Sequence, residues 1–378
     1  MSLFLIAFFT LYGGMHIYIY WRLRLLLRVR AQRVAFACFL VAMIVVPVVV
    51  RMAEKKGFAD LSVIIAWIGY LWMGFAFILI VFLALFDLWL LTGRIRQLFC
   101  AAGIDEKLRI TVLRITVSVA LLATCYGFCE ALLIRTENLT IRSAKIPPGT
   151  PSIRIVQISD VHVGVMIGKW RLKRMMEVVS AANPDIVVAT GDIVDGQIHR
   201  LNGLSQLFNE IKPRYGSFAV LGNHEFYVGV QNSLDFLRVS GFRTLRKEAV
   251  AVLPFLVIAG VDDAAAQRWG DVGNSDELGL FTATGNKPYT ILLKHRPAVD
   301  QRSKGKFDLQ LSGHVHKGQI FPFNFLTYLS FPVNSGANRL EDGSILYVSR
   351  GTGTWGPPIR FLAPPEVTII DILPETVR

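Results

Sequence analysis

Residues 153–162 read IRIVQISDVH: a strand-forming run, then Asp160 and His162 where the strand should end. The same grammar recurs down the chain. Run 186–189 leads into GDIVD with Asp192 and Asp195, and run 218–221 into GNHE with Asn223, His224 and Glu225. Run 291–293 leads into His295, and run 309–311 into GHVH with His314 and His316. Short aliphatic, β-branched runs bounded by glycine predict buried strands. Strands that all end in metal-type side chains would gather them at one rim of a sheet, where α/β proteins build their sites.

Around these runs, 168–182, 199–213 and 231–240 have helical periodicity, and 255–258, 289–293, 345–348 and 367–372 add strands. Helices come early and strands cluster late. That order favours two stacked sheets flanked by helices over one doubly wound sheet.

The chain has 378 residues, is 53% hydrophobic and carries a net charge of +12. Neither the apolar residues nor the charge are evenly spread. Residues 1–150 hold 16 Lys+Arg against 7 Asp+Glu; residues 151–378 hold 24 against 21. The excess flanks four long apolar runs, about 3–20, 34–50, 61–91 and 115–134, as it does beside membrane spans. A nucleic-acid partner is not expected, because the charge lacks one-face clustering. The first run lacks the basic start and small-residue cleavage site of a signal peptide. Residues 1–134 are therefore expected to be about four transmembrane helices, in an integral, multi-pass protein of a bacterial inner membrane. Residues 135–152, with Pro147, Pro148 and Pro151, read as a stiff linker, and 153–378 as the second domain. Arginines 22, 24, 28, 30 and 33, and the basic residues 94–109, place loops one and three in the cytoplasm. The second domain then faces outward.

Asp87 and Glu130 lie near predicted helix ends and read as interfacially solvated. His16 reads as interfacial and His199 as a surface loop residue. Cys38, Cys100, Cys125 and Cys129 all lie in the first half, so the second domain has neither a disulfide framework nor a thiolate zinc site. They read as small apolar packing residues.

Phosphate esters resist hydrolysis because a weak nucleophile must approach an anionic phosphorus. Two divalent cations about 4 Å apart answer both difficulties. They need a bridging carboxylate with imidazole and amide or carboxylate ligands around it. The set SDVH, GDIVD, GNHE, KH and GHVH supplies these groups, and its order closely resembles the calcineurin-like metallophosphoesterases. Five of the seven histidines fall inside it. The apolar runs give an N-terminal transmembrane helix bundle, and the resemblance implies a four-layer α/β/β/α metallophosphoesterase sandwich after it. It also implies two divalent metal ions, with Asp160, His162 and His316 on the first, Asn223, His295 and His314 on the second, and Asp192 between them. A hydroxide between the metals would attack phosphorus. His224, held by Asp195, would serve the leaving oxygen, and Glu225 would stand behind the ligands. The mixed O/N donor set suits Mn²⁺, Fe²⁺, Zn²⁺ or Co²⁺.

Two departures stand out. Gly196 occupies a position where many phosphoprotein phosphatases of the family have Arg, which disfavours that activity. Residues 313–319 read GHVHKGQ where the membrane-tethered branch often has GHTHGGQ, so Val315 loses a hydroxyl and Lys317 adds a charge. The tail 349–361, SRGTGTWGPPIRF, resembles the same branch, as do Asp262 and Asp263. Arg360 or Trp355 is expected to line the substrate entrance.

These features point to a membrane-anchored phosphoesterase acting on phosphate ester or pyrophosphate bonds of lipid-linked or envelope substrates. Its partners would be membrane lipids and the phosphoester itself. One alternative is a UDP-2,3-diacylglucosamine-type pyrophosphate hydrolase, whose substrate is cytoplasmic and conflicts with an outward domain. Others are a nucleotide or cyclic-nucleotide phosphodiesterase, and a non-enzymatic metal-binding scaffold.

Overall fold

The computed structural model describes residues 3–99, 104–196, 203–270, 276–281 and 288–375; His199 and Cys100 lie outside them. The chain divides into two compact units, Met1–Cys129 with Gly356–Phe361, and Glu130–Trp355 with Leu362–Arg378.

The first unit is helical. Its elements are α1 (Leu3–Leu23), α2 (Arg30–Lys55), α3 (Ala59–Phe99) and most of α4 (Glu106–Leu132). Among the described residues three helices, α2, α3 and α4, are long and apolar enough to cross a membrane. The first run is a helix as expected but is not one of these three. It carries Tyr12, His16, Tyr18 and Tyr20 on a single stretch. The 41 residues of α3 span about 60 Å at 1.5 Å per residue, roughly twice a hydrocarbon core.

His16 is buried rather than interfacial. Its Nδ1–H donates to the Tyr12 carbonyl at 2.7 Å, and its Nε2 accepts from the Trp72 indole at 2.9 Å. Asp87 Oδ2 pairs with Arg22 and accepts from the Tyr18 hydroxyl, while its buried Oδ1 has no hydrogen-bond partner among the described residues. The tail segment Gly356–Phe361, expected in the second domain, groups with the helices. Ile359 packs on Gly74 and Gly127, and the Arg360 N–H donates to the Gly127 carbonyl at 2.9 Å.

The second unit holds two six-stranded sheets. The first contains β1 (Arg135–Ser143), β2 (Ile153–Ile158), β3 (Ile186–Thr190), β4 (Ser217–Val220), β5 (Phe242–Thr244) and β12 (Glu366–Pro374), in the order β1-β12-β2-β3-β4-β5. The second contains β6 (Glu248–Leu253), β7 (Leu256–Gly260), β8 (Tyr289–Leu293), β9 (Leu309–Ser312), β10 (Gly336–Arg339) and β11 (Ile345–Val348), in the order β10-β11-β9-β8-β7-β6.

One core contains inward residues of both sheets, among them Ile155, Val188 and Val220 from the first and Ile258, Ile291 and Leu309 from the second. A second core joins the first sheet to α5 (Lys169–Ala181), α6 (Leu204–Asn209) and α8 (Val230–Val239). Small clusters around Ala259, Leu292 and Phe307, and around Val315, Leu346 and Val348, cover the second sheet's other face.

Stretch 135–152 is not simply a linker. Residues 135–143 form β1, paired in parallel with β12 from Arg135↔Glu366 to Ser143↔Pro374. Ile141 within it and Ile146 after it are buried. Its alternation is broken by charged and polar residues, so a nine-residue edge strand is easily taken for connector.

Candidate metal centre

β2, β3 and β4 run parallel in one sheet, and β8 and β9 run parallel in the other. Each motif follows the C-terminal end of its strand, so one rim collects side chains from both sheets. The turns are tight. Asp160, His162, Asp192, His314 and His316 all have φ between 48° and 73°. Such conformations disfavour L-residues and persist where surrounding structure fixes them. Gly313 is the limiting case: a Cβ there would lie 1.9 Å from Ser159 Oγ and 2.2 Å from Asp160 Oδ2. Only glycine lets the GHVH loop close onto the Asp160 carboxylate, which accepts the His314 N–H at 3.0 Å.

The side chains gather in three overlapping groups: Asp160, His162 and His316; His162, Asp192 and His224; Asp192, His295 and His314. His162 Nε2 faces His316 Nε2 at 3.1 Å, and His316 Nε2 lies 3.4 Å from Asp160 Oδ1. His295 is the most informative residue. Its Nδ1–H donates to the Thr190 carbonyl at 2.8 Å, which turns Nε2 into the site. Nε2 faces Asn223 Oδ1 at 3.2 Å, Asp192 Oδ2 at 3.2 Å and His314 Nδ1 at 3.1 Å. None of these is an obligate donor. Burial opposes charge on this ring, but Asp192 outweighs it and raises the imidazole to about 10, so without a metal a proton takes the place between them. His162 Nδ1 is also buried without a hydrogen-bond partner. Acceptor atoms crowded together out of water are unfavourable unless a cation or protons lie among them. The donor set of carboxylate, carboxamide and imidazole therefore fits divalent metal ions.

Charge sharing follows the same logic. Burial, reinforced by the neighbouring His224 charge, lowers the His162 imidazole to about 4. Burial and then His295 lower His314 to about 3. Burial also opposes charge on His224, but Asp192 and Asp195 outweigh it and raise the imidazole to about 9. Asp192 is held well below its ordinary range because the His295 and His224 charges outweigh its burial.

His224 is positioned at both ends. Its backbone N–H donates to Asp192 Oδ1 at 2.8 Å, and its Nδ1 meets Asp195 Oδ1 at 2.7 Å. It opens α7 (Asn223–Val228), whose Glu225 reaches back into the site. The buried Glu225 carboxylate accepts N–H groups of Gly222, Asp192, Ile193 and Val194 at 2.7–2.9 Å. One side chain thus ties the β3 turn to the β4 turn, which gives Glu225 a definite place behind the ligands. Asp263 does related work, binding Arg296 beside His295 at 2.7 Å, while Asp262 binds Arg246. Gly196 also has a local reason: a Cβ there would lie 2.7 Å from Gly164 Cα, so an arginine would require the two loops to part.

The two residues expected at an entrance part company. Trp355 is 53% exposed, with its ring 5.7 Å from His224 and edge-on to it. Arg360 is fully buried and belongs to the helical unit's tail segment, so it does not line an opening. Gln319 is the residue that sequence reasoning passed over. Its amide accepts the Trp355 N–H at 2.9 Å and donates to the Trp355 carbonyl at 2.8 Å. The motif GHVHKGQ carried the signal, since its last residue needs a partner and a carboxamide can pair with a backbone peptide on both sides.

Residues 153–318 match the family model described as calcineurin-like phosphoesterase. An uncharacterized metallophosphoesterase of Aquifex aeolicus is 44% identical over 67% of this chain and 97% of its own length. A transmembrane protein with metallophosphoesterase domain from Danio rerio is 33% identical over 69% of this chain and 62% of its own length. An uncharacterized metallophosphoesterase of Bacillus subtilis is 31% identical over 65% of this chain and 89% of its own length.

Proposed function

This chain belongs to the calcineurin-like phosphoesterase family and is a metal-dependent phosphoesterase, and from that premise we propose that it hydrolyses a phosphate ester or pyrophosphate bond of a lipid-linked or envelope substrate. The metal chemistry rests chiefly on His295 Nε2, which faces Asn223 Oδ1, Asp192 Oδ2 and His314 Nδ1 across a gap that calls for a proton or a cation. Asp160, His162 and His316 would hold one ion, and Asn223, His295 and His314 another. Asp192 lies between, as a member of a ligand-type group on each side. Bound divalent cations supply a water of lowered pKa and neutralise phosphoryl charge. Mn²⁺, Fe²⁺, Zn²⁺ and Co²⁺ all suit the donors.

The protein's own contribution to bond cleavage is His224. Asp195 holds Nδ1, so the transferable proton is on Nε2. As the P–O bond breaks, its electron pair stays on the leaving oxygen, and the imidazolium delivers its proton there.

The lipid reading rests on three apolar helices long enough to cross a bilayer in the same chain. We place the protein in a bacterial inner membrane as a multi-pass chain with the phosphoesterase unit outside, following the basic loops. A four-layer α/β/β/α stacking belongs to the same reading and is supported by the core that both sheets share. Long nucleic acid is not a partner, given the near balance of charge in residues 151–378.

The test is a metal-reconstituted turnover screen over lipid, nucleotide and bis-aryl phosphoesters, with Asp192→Asn as control. Turnover of a phospholipid or lipid-linked pyrophosphate in preference to nucleotides is expected. A fully metallated protein inert on every phosphoester would sink the reading. A reporter fused after Arg378 reads the side of the membrane, and a cytoplasmic signal overturns the orientation.

A further inference from the structure

The loop after His316 leads into α10 (Asn324–Ser330), a helix with no buried residue. Phe325 is 62% exposed and Leu329 80%; Phe321, Phe323, Leu326 and Tyr328 are exposed too. No charged residue occurs between Lys317 and Arg339. A contiguous, uncharged, aromatic-rich patch in water marks an interaction surface. It is also the composition of segments that lie at a lipid–water boundary.

Both ends of α10 are fixed to the metal-ligand loop. A Cβ at Gly318 would lie 2.3 Å from Asn324 N, so the helix start sits directly on the turn after His316. Beyond its other end, the Phe331 ring is 5.6 Å from the His314 ring and edge-on to it. The exposed apolar side chains are therefore carried on the rim of the site.

We propose that α10 and its flanks dip into the bilayer interface and that the phosphoester reaches the metal centre from that surface; the second half rests on the lipid-substrate reading. The bilayer is favoured over a protein partner by chain order and charge. α4, long and apolar enough to span, ends at Leu132, and β1 begins at Arg135, so the tether is two residues. Lys317 and Arg339 bracket the uncharged run, as cationic residues do beside anionic lipid.

The full chain, with its native cysteines replaced by serine, is placed in phosphatidylethanolamine/phosphatidylglycerol nanodiscs with a spin label at Leu329→Cys. A second sample carries the label at Glu341→Cys, whose native side chain is 92% exposed. The label at 329 should collide with oxygen more than with a water-soluble nickel chelate, and the label at 341 the reverse. Equal nickel access at both sites overturns the insertion, and so does a label at 329 shielded from both reagents, which would mean protein covers it.

Turnover of the Leu326→Ser/Leu329→Ser protein then tests delivery. Hydrolysis of soluble bis(p-nitrophenyl) phosphate should be unchanged, while hydrolysis of a phosphoester lipid in the same disc falls about tenfold or more. Equal loss on both, or loss on neither, overturns delivery from the surface. A wild-type protein that cleaves the soluble ester but no lipid, with the 329 label in lipid, overturns the substrate reading and leaves the insertion standing.

Discussion

Two buried histidines in different regions show what separates a packed imidazole from a ligand. His16, in the helical unit, has a partner of the right kind on each nitrogen: a carbonyl on Nδ1 and the donor-only indole of Trp72 on Nε2. His295, at the rim of the two sheets, has the same arrangement on Nδ1, with the Thr190 carbonyl. Its Nε2 instead faces Asn223, Asp192 and His314. Burial is equal, so burial does not identify the site. A deficit of donors does, because a fold that desolvates acceptors opposite one another needs positive charge there.

The largest effect that can break this comparison comes from removing that charge or its central carboxylate. Chelation should abolish turnover and lower the melting point of the sheet-bearing unit. Metal restored at one hundred times its Kd should recover about 2.7 kcal/mol. Asp192→Asn should lose nearly all turnover and bind less metal, beyond the 10–100-fold typical of groups behind the ligands. Elemental analysis beside activity checks both. A chelated protein of unaltered stability would mean the acceptors are satisfied in another way.

Next in size is His224→Ala, which leaves the seven ligand-type residues in place. Turnover of esters with poor leaving groups should fall by about 10²–10⁴-fold, the range for a positioned acid. Metal content should hold, and aryl esters with good leaving groups should suffer far less. Equal losses on both substrate types would remove His224 as proton donor and leave it a packing residue between Trp355, Tyr227 and His162.

Ligand types and strand ends were readable because each lies within a short window: an apolar run, a glycine, then the polar group. Relations between distant windows were not. β1 is strand because β12, more than two hundred residues on, supplies its ladder, and nothing in RTENLTIRS announces that partner. His16 looked interfacial because its partner Trp72 lies on another helix. Arg360 looked available because charge on a loop normally is, whereas Ile359 beside it anchors the segment on Gly74 and Gly127. Gln319 and Trp355 are 36 residues apart, and only the folded chain shows their paired hydrogen bonds.

That pair gives a smaller effect. Gln319→Ala removes both hydrogen bonds to the Trp355 backbone and touches no ligand-type side chain. The indole beside His224 should lose its fixed position, raising KM several-fold with kcat nearly held, since one hydrogen bond contributes about 0.5–1.5 kcal/mol. Gln319→Glu, which can accept but not donate when ionised, should fall between. A loss in kcat alone would place Gln319 in the chemistry instead.

The smallest effect on activity belongs to the other half of the comparison. Trp72→Phe keeps a ring against Phe39 and Phe75 but deletes the indole N–H, leaving His16 Nε2 buried without its donor. The helical unit should lose about 1–3 kcal/mol, and phosphoesterase turnover should not change. The double variant His16→Phe/Trp72→Phe should recover most of that loss, because removing both polar partners is close to neutral where removing one is not. No such rescue exists at the rim. Taking His295 away still leaves the Asp192 carboxylate and the His314 imidazole in one buried ligand-type group, which needs positive charge beside it. A Trp72→Phe protein as stable as wild type would show that His16 has another donor, and the contrast between the two imidazoles would then rest on His295 alone.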